Sequence, residues 1–214
     1  FFIVFLIFGL YLSDDFGMAY DVLGYRQQGL IILNHIGNIF VPEITKKIVE
    51  GPEIKNVSDY YFAFSGVPLH SSFAFIEKIF FDFETKKEVY YFKYKLNFLF
   101  NFIGCVFFYQ LLKKRFRNYL IPFVGFLILI SSPRIFPELF YNPNDVPFMT
   151  SIIIFLYFAN SYIKKSSRKN LFLLTFASGF LISMRFGGIV FPGLFILIYL
   201  FYNYFILKKS FISN

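Results

Sequence analysis

The chain has 214 residues, of which 57% are apolar and 16% charged, and it contains 36 phenylalanines, 16 tyrosines and no tryptophan. Soluble domains are usually about half apolar and about a quarter charged, so the composition argues against a soluble protein and indicates an integral membrane protein. The formal charge of +8 could suggest a nucleic-acid ligand. In a membrane protein, however, the position of the charges carries more information than their sum, and we expect no nucleic-acid partner.

Six apolar runs are candidates for membrane-spanning helices, each of which needs about 20 residues. Residues 1–12 lack the basic start and the cleavage site of a signal peptide, so we interpret them as the end of a span and the chain as a fragment of something longer. The other five runs cover residues 96–112, 119–132, 146–163, 171–184 and 188–207. The last two of them are separated only by Arg185-Phe186-Gly187 and could form one hairpin or one broken helix.

The segments between these runs alternate in charge. The links KKRFR (113–117), KKSSRK (164–169) and Lys208-Lys209 hold ten basic residues and no acid, so the positive-inside rule assigns them to the cytoplasm. All thirteen carboxylates and the other eleven basic residues then fall on the opposite face. The sequence therefore predicts an all-α, polytopic membrane helical bundle of about six spans, with residues 1–214 in a single transmembrane domain.

Two external segments follow from this alternation, a long first loop over residues 14–95 and a second loop over residues 133–145. Within the first loop, residues 16–33 and 70–81 have the periodicity of amphipathic helices, which commonly lie in the plane of the lipid headgroups. The second loop contains three prolines, which restrict its backbone because each fixes one dihedral angle. We therefore expect the external face to be ordered.

Three carboxylates lie where a predicted span reaches this external face. Asp14 and Asp15 follow the first apolar run, where they could act as a general base or hold a divalent metal ion. The alternative, which the pair by itself favours, is that they cap the helix that follows and interact with its dipole. Asp145 begins the fourth predicted span, where it is a candidate substrate-binding residue or, again, a helix cap.

Two arginines are candidate binding residues. Arg134 lies in the second external loop together with Glu138; a guanidinium at this depth needs an anionic partner, and its planar fork suits a phosphate. Arg185 is the one charged residue between Asn170 and Lys208, which makes it a functional candidate or a cation that reaches to lipid headgroups. We predict Arg134, Glu138, Asp145 and Arg185 as substrate-binding residues.

Together these features resemble a known family. The acidic pair in SDDF at residues 13–16, the motif FYNPNDVPF at 140–148 and the run LFLLTFASGFLISMRFGGIVFPGL at 171–194 resemble the N-terminal half of GT-C class membrane glycosyltransferases. The most similar type is the dolichyl-phosphate-mannose–protein mannosyltransferase and aminoarabinose transferase type. Family members usually have more spans and often a soluble C-terminal domain, so this chain would hold part of the site.

The resemblance implies an activity and a site. The donor would be a polyprenyl-phosphate sugar in the membrane lipid, and the acceptor would be a lipid, a glycan or a protein. Asp14 and Asp15 match the acidic motif of the family's first external loop, so they would be catalytic and would hold a divalent metal ion if one is used. We expect a bacterial inner-membrane protein with the 14–95 loop in the periplasm.

The main alternative is a membrane transporter or flippase for a lipid-linked or anionic substrate. Transporters place ionisable groups near the bilayer midplane within broken helices, whereas the runs 96–112, 119–132 and 146–163 contain no charge. Arg185, beside two glycines, is the feature that favours this alternative. A non-catalytic scaffold is a third interpretation, and a structure without a pocket beside Asp14 would support it.

Overall fold

The computed structural model describes residues 1–43, 45, 57, 60, 65–81 and 83–207, and in these residues every regular element is helical. The basic pair Lys208-Lys209 lies outside the described residues. A 3-10 turn over Phe186–Ile189 precedes the last α-helix and a π-helical turn over Tyr202–Leu207 follows it. The helices are α1 (Phe2–Leu12), α2 (Asp21–Phe40), α3 (Val67–Phe80), α4 (Lys86–Arg115), α5 (Leu120–Ser131), α6 (Ile135–Tyr141), α7 (Asp145–Lys164), α8 (Arg168–Met184) and α9 (Val190–Phe201).

Three of the described helical segments are long and apolar enough to cross a membrane, namely α4, α7 and the segment Phe186–Tyr204 that contains α9. The number rises to four if α5 and α6, which meet at 68°, are counted as one bent span. α1 is apolar but has only 11 residues, about 16 Å at 1.5 Å per residue. An all-helical protein with three to four candidate spans is therefore shown, while six spans stay a prediction.

The apolar helices nevertheless alternate in direction through the bundle. α1 is antiparallel to α4, α4 is parallel to α7, and α8 is antiparallel to α7. Since α4 and α7 are parallel, α5 and α6 return the chain between them. These directions follow from contacts along each pair: Phe2–Tyr109 and Phe5–Phe98, then Asn101–Thr150 and Lys114–Ser161, and finally Asp145–Arg185 and Ser161–Asn170.

Arg185 lies in the turn of a hairpin between α8 and α9, so the broken-helix interpretation is wrong. Rings of α7 and α9 pair in the same order along both helices, Phe155 with Phe195 and Tyr162 with Tyr199. α9 is therefore parallel to α7 and opposite to α8. Gly188 allows the tight turn, because a Cβ there would lie 2.6 Å from the carbonyl oxygen of Leu181.

Phenylalanine fills the core where α1, α4, α5 and α6 meet. Phe98 and Phe126 are fully buried, and Phe98 stacks face to face on Phe140 with ring centroids 4.8 Å apart. Phe5 meets both Phe98 and Phe126 edge-on. Gly9 lets α1 approach this cluster, because a Cβ there would lie 1.9 Å from the ring of Phe98. Aromatic pairs of this kind add to the stabilisation from burial.

The two amphipathic helices predicted within the first external segment are present, but they begin and end at other residues than predicted. α2 covers Asp21–Phe40 and α3 covers Val67–Phe80, and the two pack against each other. The segment also includes the first turns of α4, which begins at Lys86 because Thr85 and Glu88 form a reciprocal capping box. The predicted second loop is likewise partly helical, since α6 occupies Ile135–Tyr141.

Candidate functional site

The described helix ends fall into two groups at opposite ends of the bundle. At one end the basic links 113–117 and 164–169 meet, and the ammonium of Lys164 donates a hydrogen bond of 3.0 Å to the carbonyl oxygen of Lys114. The six residues that the sequence predicts for the site lie at the other end, as the alternating helix directions require. The predicted separation of the basic links from these residues is thus a property of the fold.

An ion pair between Asp145 and Arg185 stands at the centre of that second end. Nη2 of Arg185 donates a hydrogen bond to Oδ1 of Asp145, and the guanidinium lies 5.5 Å from the ring centroid of Phe148. Asp145 is the first residue of α7, and Arg185 follows the last residue of α8, so the pair joins two helix ends. The side chains are 63% and 38% exposed, which leaves both open to a ligand.

A cavity of about 210 Å³ opens beside this ion pair. Asp21 and Tyr25 of α2 line it, and Asn142 lines it from the turn before α7. Its walls therefore offer two carboxylates, a guanidinium, three phenols and two amides within one small volume. This set of donors and acceptors suits a ligand that carries hydroxyl groups and an anionic group.

Asn142 connects the ion pair to the other predicted residues of the second segment. Its Nδ2 lies 3.3 Å from Oε2 of Glu138 and 3.3 Å from Oδ2 of Asp145. Glu138 in turn pairs with Arg134, whose Nε is 3.3 Å away and whose side chain is 87% exposed. Arg134, Glu138, Asp145 and Arg185 therefore belong to one polar network, in which Arg134 is the outermost member.

Asn142 also caps the start of α7, the role that the sequence left open for Asp145. Its Oδ1 accepts hydrogen bonds from the backbone N–H groups of Asn144 (3.0 Å) and Asp145 (2.7 Å). Asp145 occupies the first helical position of α7 and not the cap position. Its carboxylate is therefore free to face Arg185, and interpreting Asp145 as the helix cap is wrong.

Asp14 and Asp15 lie apart from the cavity. Asp14 pairs with Lys95 at 3.0 Å, while the Asp15 side chain makes no hydrogen bond or ion pair with the described residues. The two acids do not cap α2, because that helix begins at Asp21 with Tyr20 at its N-cap. They follow the C-terminal end of α1, where the helix dipole disfavours negative charge and Lys95 offsets it for Asp14. The cap interpretation is therefore wrong here too.

A divalent metal ion at Asp14 and Asp15 stays a prediction. The ammonium of Lys95 already holds the carboxylate of Asp14 at 3.0 Å, the place that a metal cation would take. Within the described ranges no cluster of three or more histidine, cysteine, aspartate or glutamate side chains has a metal-binding arrangement.

α2 and α3 hold the turn that carries Asn144 and Asp145. Nδ2 of Asn144 donates to the Tyr25 hydroxyl at 2.9 Å, and the Tyr25 ring stacks on His70 with centroids 4.7 Å apart. The imidazole of His70 donates to the backbone carbonyl of Pro143. Burial, with a smaller contribution from Lys93, lowers the pKa of His70 to about 3, so the ring is neutral at physiological pH.

The same short stretch of α3 also holds the chain beside Arg185. The backbone N–H of Gly66, at the N-cap of α3, donates to the carbonyl oxygen of Met184 at 2.7 Å. Gly66 has a φ of 66°, in the left-handed region that favours glycine. A Cβ at this position would also lie 2.5 Å from the imidazole of His70. One turn of α3 therefore contacts the chain on both sides of the ion pair.

No protein-family model, curated protein or solved structure matches the chain. Sequence reasoning did not identify Tyr25, Asn142 and His70 as parts of it, since each is one polar residue in an ordinary context. Pro143 and Pro147, on either side of Asn144-Asp145-Val146, were the available signal for a fixed turn, and they pointed to the correct segment.

Proposed function

We propose that this chain is part of a membrane glycosyltransferase that moves a sugar from a polyprenyl-phosphate donor to a lipid, glycan or protein acceptor. The observation that carries the proposal is the Asp145–Arg185 pair, open to a polar cavity at one end of an apolar bundle. A guanidinium at this position can bind a lipid phosphate at the membrane surface, and a carboxylate beside it can accept a proton.

An apolar groove near Arg185 supports a lipid-linked donor. The groove has a volume of about 580 Å³ and is lined by Phe172, Phe176 and Phe180, which follow one another along α8, and by Ser72 on α3. Phe180 precedes Arg185 by little more than one helical turn. A prenyl chain in this groove would therefore bring its phosphate to the end of α8, beside the guanidinium.

In the proposed reaction the donor phosphate competes with Asp145 for the guanidinium of Arg185. The released carboxylate of Asp145 accepts the proton of an acceptor hydroxyl, whose oxygen forms a bond to the anomeric carbon of the sugar. The bond from that carbon to the phosphate oxygen breaks, and the polyprenyl phosphate leaves with the bonding electrons. Arg185 stabilises the charge that develops on this phosphate.

Asp14 and Asp15 keep a separate place in the proposal. The family resemblance assigns the catalytic base to this pair, and a divalent metal ion would be held there if one is used. Asp14 is paired with Lys95 and neither acid lines the cavity beside Arg185, which favours Asp145 as the base. The two assignments predict different variants with lost activity and can be tested side by side.

The helix directions and the positive-inside rule support the proposed membrane setting. Six passes would put the basic links in the cytoplasm and the cavity beside Arg185 on the external face, the periplasmic side of a bacterial inner membrane. α2 and α3 would then lie at that external surface, as amphipathic helices commonly do. The short helices α1 and α5 would cross with their flanking residues.

The test is sugar transfer by the full-length protein in lipid nanodiscs, with a panel of radiolabelled polyprenyl-phosphate sugars. Arg185→Gln should lower the transfer rate about 10²–10³-fold, as removal of a group that stabilises transition-state charge does, and Asp145→Asn should lower it comparably. Lys86→Gln, which changes an exposed cation at the same end, should leave the rate unchanged. Wild-type rates in both Arg185→Gln and Asp145→Asn would contradict the proposed site.

The acidic pair provides the second arm of this experiment. If Asp145 is the base, Asp14→Asn combined with Asp15→Asn should retain transfer. Loss of transfer in that double variant, with normal transfer in Asp145→Asn, would return the base to the acidic pair. Such a result would keep the glycosyltransferase while overturning the assignment to Asp145.

A buried charge cluster favours the alternative of a transporter or flippase. Arg26 pairs with Glu77 at 2.6 Å, Glu77 is 3% exposed, and the buried ammonium of Lys93 has no hydrogen-bond partner among the described residues. Buried ionisable groups next to apolar spans are candidates for part of a transport path. Movement of a fluorescent polyprenyl-phosphate sugar across proteoliposomes, without transfer of its sugar, would select this alternative.

A further inference from the structure

A second groove lies at the basic end of the bundle, opposite to Asp145 and Arg185. It has a volume of about 440 Å³ and lies between the end of α7 and the second half of α9. Ile163, Phe195 and Ile198 give it apolar walls, and Ser166 and Asn203 supply polar groups. The groove is therefore apolar within the bundle and polar where it reaches the basic link 164–169.

The charges around this groove are of one sign. The links 113–117 and 164–169 carry eight basic residues and no acid, and none of these eight side chains forms an ion pair in the part of the chain that the structure describes. The ammonium of Lys114 donates a hydrogen bond of 2.6 Å to the hydroxyl of Ser161. Lys165 and Arg168, on either side of Ser166-Ser167, are exposed. A ligand here would need an anionic group to match this surface.

Aromatic hydroxyl groups mark the level at which the groove changes from apolar to polar. The rings of Tyr162 and Tyr199 lie 5.7 Å apart, and the hydroxyl of Ser166 donates to the backbone carbonyl of Tyr162 at 3.3 Å. Tyrosines with an apolar ring and a polar tip are typical of the boundary between lipid tails and headgroups. A bound lipid would therefore have its headgroup level with Ser166 and a tail between α7 and α9.

We propose that this groove binds one anionic phospholipid, with an acyl chain between α7 and α9 and its phosphate against Lys165 and Arg168. Inorganic phosphate would leave the apolar walls uncovered, and a zwitterionic lipid would leave the positive charge unbalanced. The proposal is independent of sugar transfer, because it uses neither the cavity beside Arg185 nor the groove along α8. It assigns the basic links a lipid ligand in addition to their role in orientation.

The experiment uses the full-length protein in nanodiscs of phosphatidylcholine that contain a small fraction of photoactivatable phosphatidylglycerol. After irradiation, mass spectrometry measures the labelled fraction of peptides from residues 163–203. Lys165→Gln combined with Arg168→Gln should lower this fraction roughly tenfold to thirtyfold, because each cation near the surface strengthens binding several-fold. Lys86→Gln combined with Lys87→Gln removes two exposed cations at the opposite end and should leave it unchanged.

A second pair of variants tests the apolar part of the site. Ile198→Trp adds bulk to a groove residue that is 67% exposed and should exclude the acyl chain, whereas Leu197→Trp changes a neighbour that is 65% exposed and does not line the groove. Equal labelling of the two tryptophan variants, or equal labelling by photoactivatable phosphatidylcholine, would overturn the proposal. A groove covered by another segment of the full chain would give no label even in the wild type, which would overturn it as well.

Discussion

At the scale of single residues, the site depends on His70, which contributes no charge. Its ring lies between Tyr25 and the backbone carbonyl of Pro143, and it is buried. Burial of a histidine favours its neutral form, and the neutral ring still has one N–H for the Pro143 carbonyl. His70 therefore holds the turn before Asp145 at neutral pH without competing for the ligand's charge.

This burial predicts a pH dependence of stability. The pKa of His70 is about 3 in the folded protein against 6.5 in the unfolded chain. Between these values the unfolded state binds more protons, so stability is lost as the pH falls below 6.5. From pH 6.5 to pH 5 the loss amounts to about 2 kcal/mol. His70→Asn, which keeps an N–H for the Pro143 carbonyl, should remove this part of the pH dependence.

Thermal melts at about pH 7.5, 6.5 and 5, which cover the window around the histidine pKa, measure this effect. Loss of the helical circular-dichroism signal reports unfolding at each pH, because the described elements are helical. At the highest pH a thiol-reactive dye also reports it, since Cys105 is the one cysteine of the chain and is buried. His35→Asn changes an exposed histidine and serves as the control. Identical pH profiles for the wild type and His70→Asn would show that His70 is not the group responsible.

At the scale of elements, α2 and α3 act as one unit that supports the site. The helices pack along their length, and Arg26 of α2 donates two hydrogen bonds to Oε1 of Glu77 on α3. From this unit, Tyr25 contacts the turn before α7 and Gly66 contacts the end of α8. The geometry of the Asp145–Arg185 pair therefore depends on how α2 and α3 are joined.

Glu77→Gln should therefore destabilise the protein substantially. Loss of one partner from a fully buried ion pair costs about 3–5 kcal/mol, and the partial exposure of Arg26 reduces this to about 2–3 kcal/mol. For a chain of this size the melting temperature should fall by about 4–10 °C, measured with the same dye.

Glu138→Gln provides the comparison for Glu77→Gln. It weakens the pair with the largely exposed Arg134, and surface pairs of this kind contribute little to stability. Its melting temperature should stay close to that of the wild type. Equal melting temperatures for Glu77→Gln and the wild type would show that the Arg26–Glu77 pair does not hold α2 and α3 together.

At the scale of the whole molecule, the alternating helix directions separate two surfaces of different chemistry. The basic links meet at one end, and the cavity with Asp145 and Arg185 opens at the other. Charged groups are expensive within the hydrocarbon region, so this separation fits a chain that crosses a bilayer. It also places the two proposed ligand sites at opposite ends of the bundle.

Cysteine labelling tests this arrangement. In a Cys105→Ala background, Tyr20→Cys should react with a membrane-impermeant maleimide in intact cells whose outer membrane is permeable to it, because residue 20 lies at the end that carries the cavity and is exposed. Ser166→Cys, in the basic link, should react only after the inner membrane is opened. Reaction of both positions from the same side would contradict the proposed topology.

The sequence predicted the helices better than their ends. A helix boundary depends on local capping, such as the Thr85–Glu88 box that starts α4 at Lys86, ten residues before the predicted span. The apolar pattern marks only the part of a helix that faces lipid, so it does not mark the polar first turns of α4. For the same reason α6 was not identified within the predicted second loop, since seven residues with a proline carry too little periodicity.

By itself the sequence determined an all-helical protein of membrane type and the segregation of its basic links, because apolar composition and charge position alone control both properties. Only the tertiary structure decided which predicted residues meet. Asp145 lies against Arg185, 40 residues away, whereas Asp14 lies against Lys95, 81 residues away. Such partners depend on helix directions and packing, which no local pattern encodes. The acidic pair and the cavity therefore lie at separate positions in the fold.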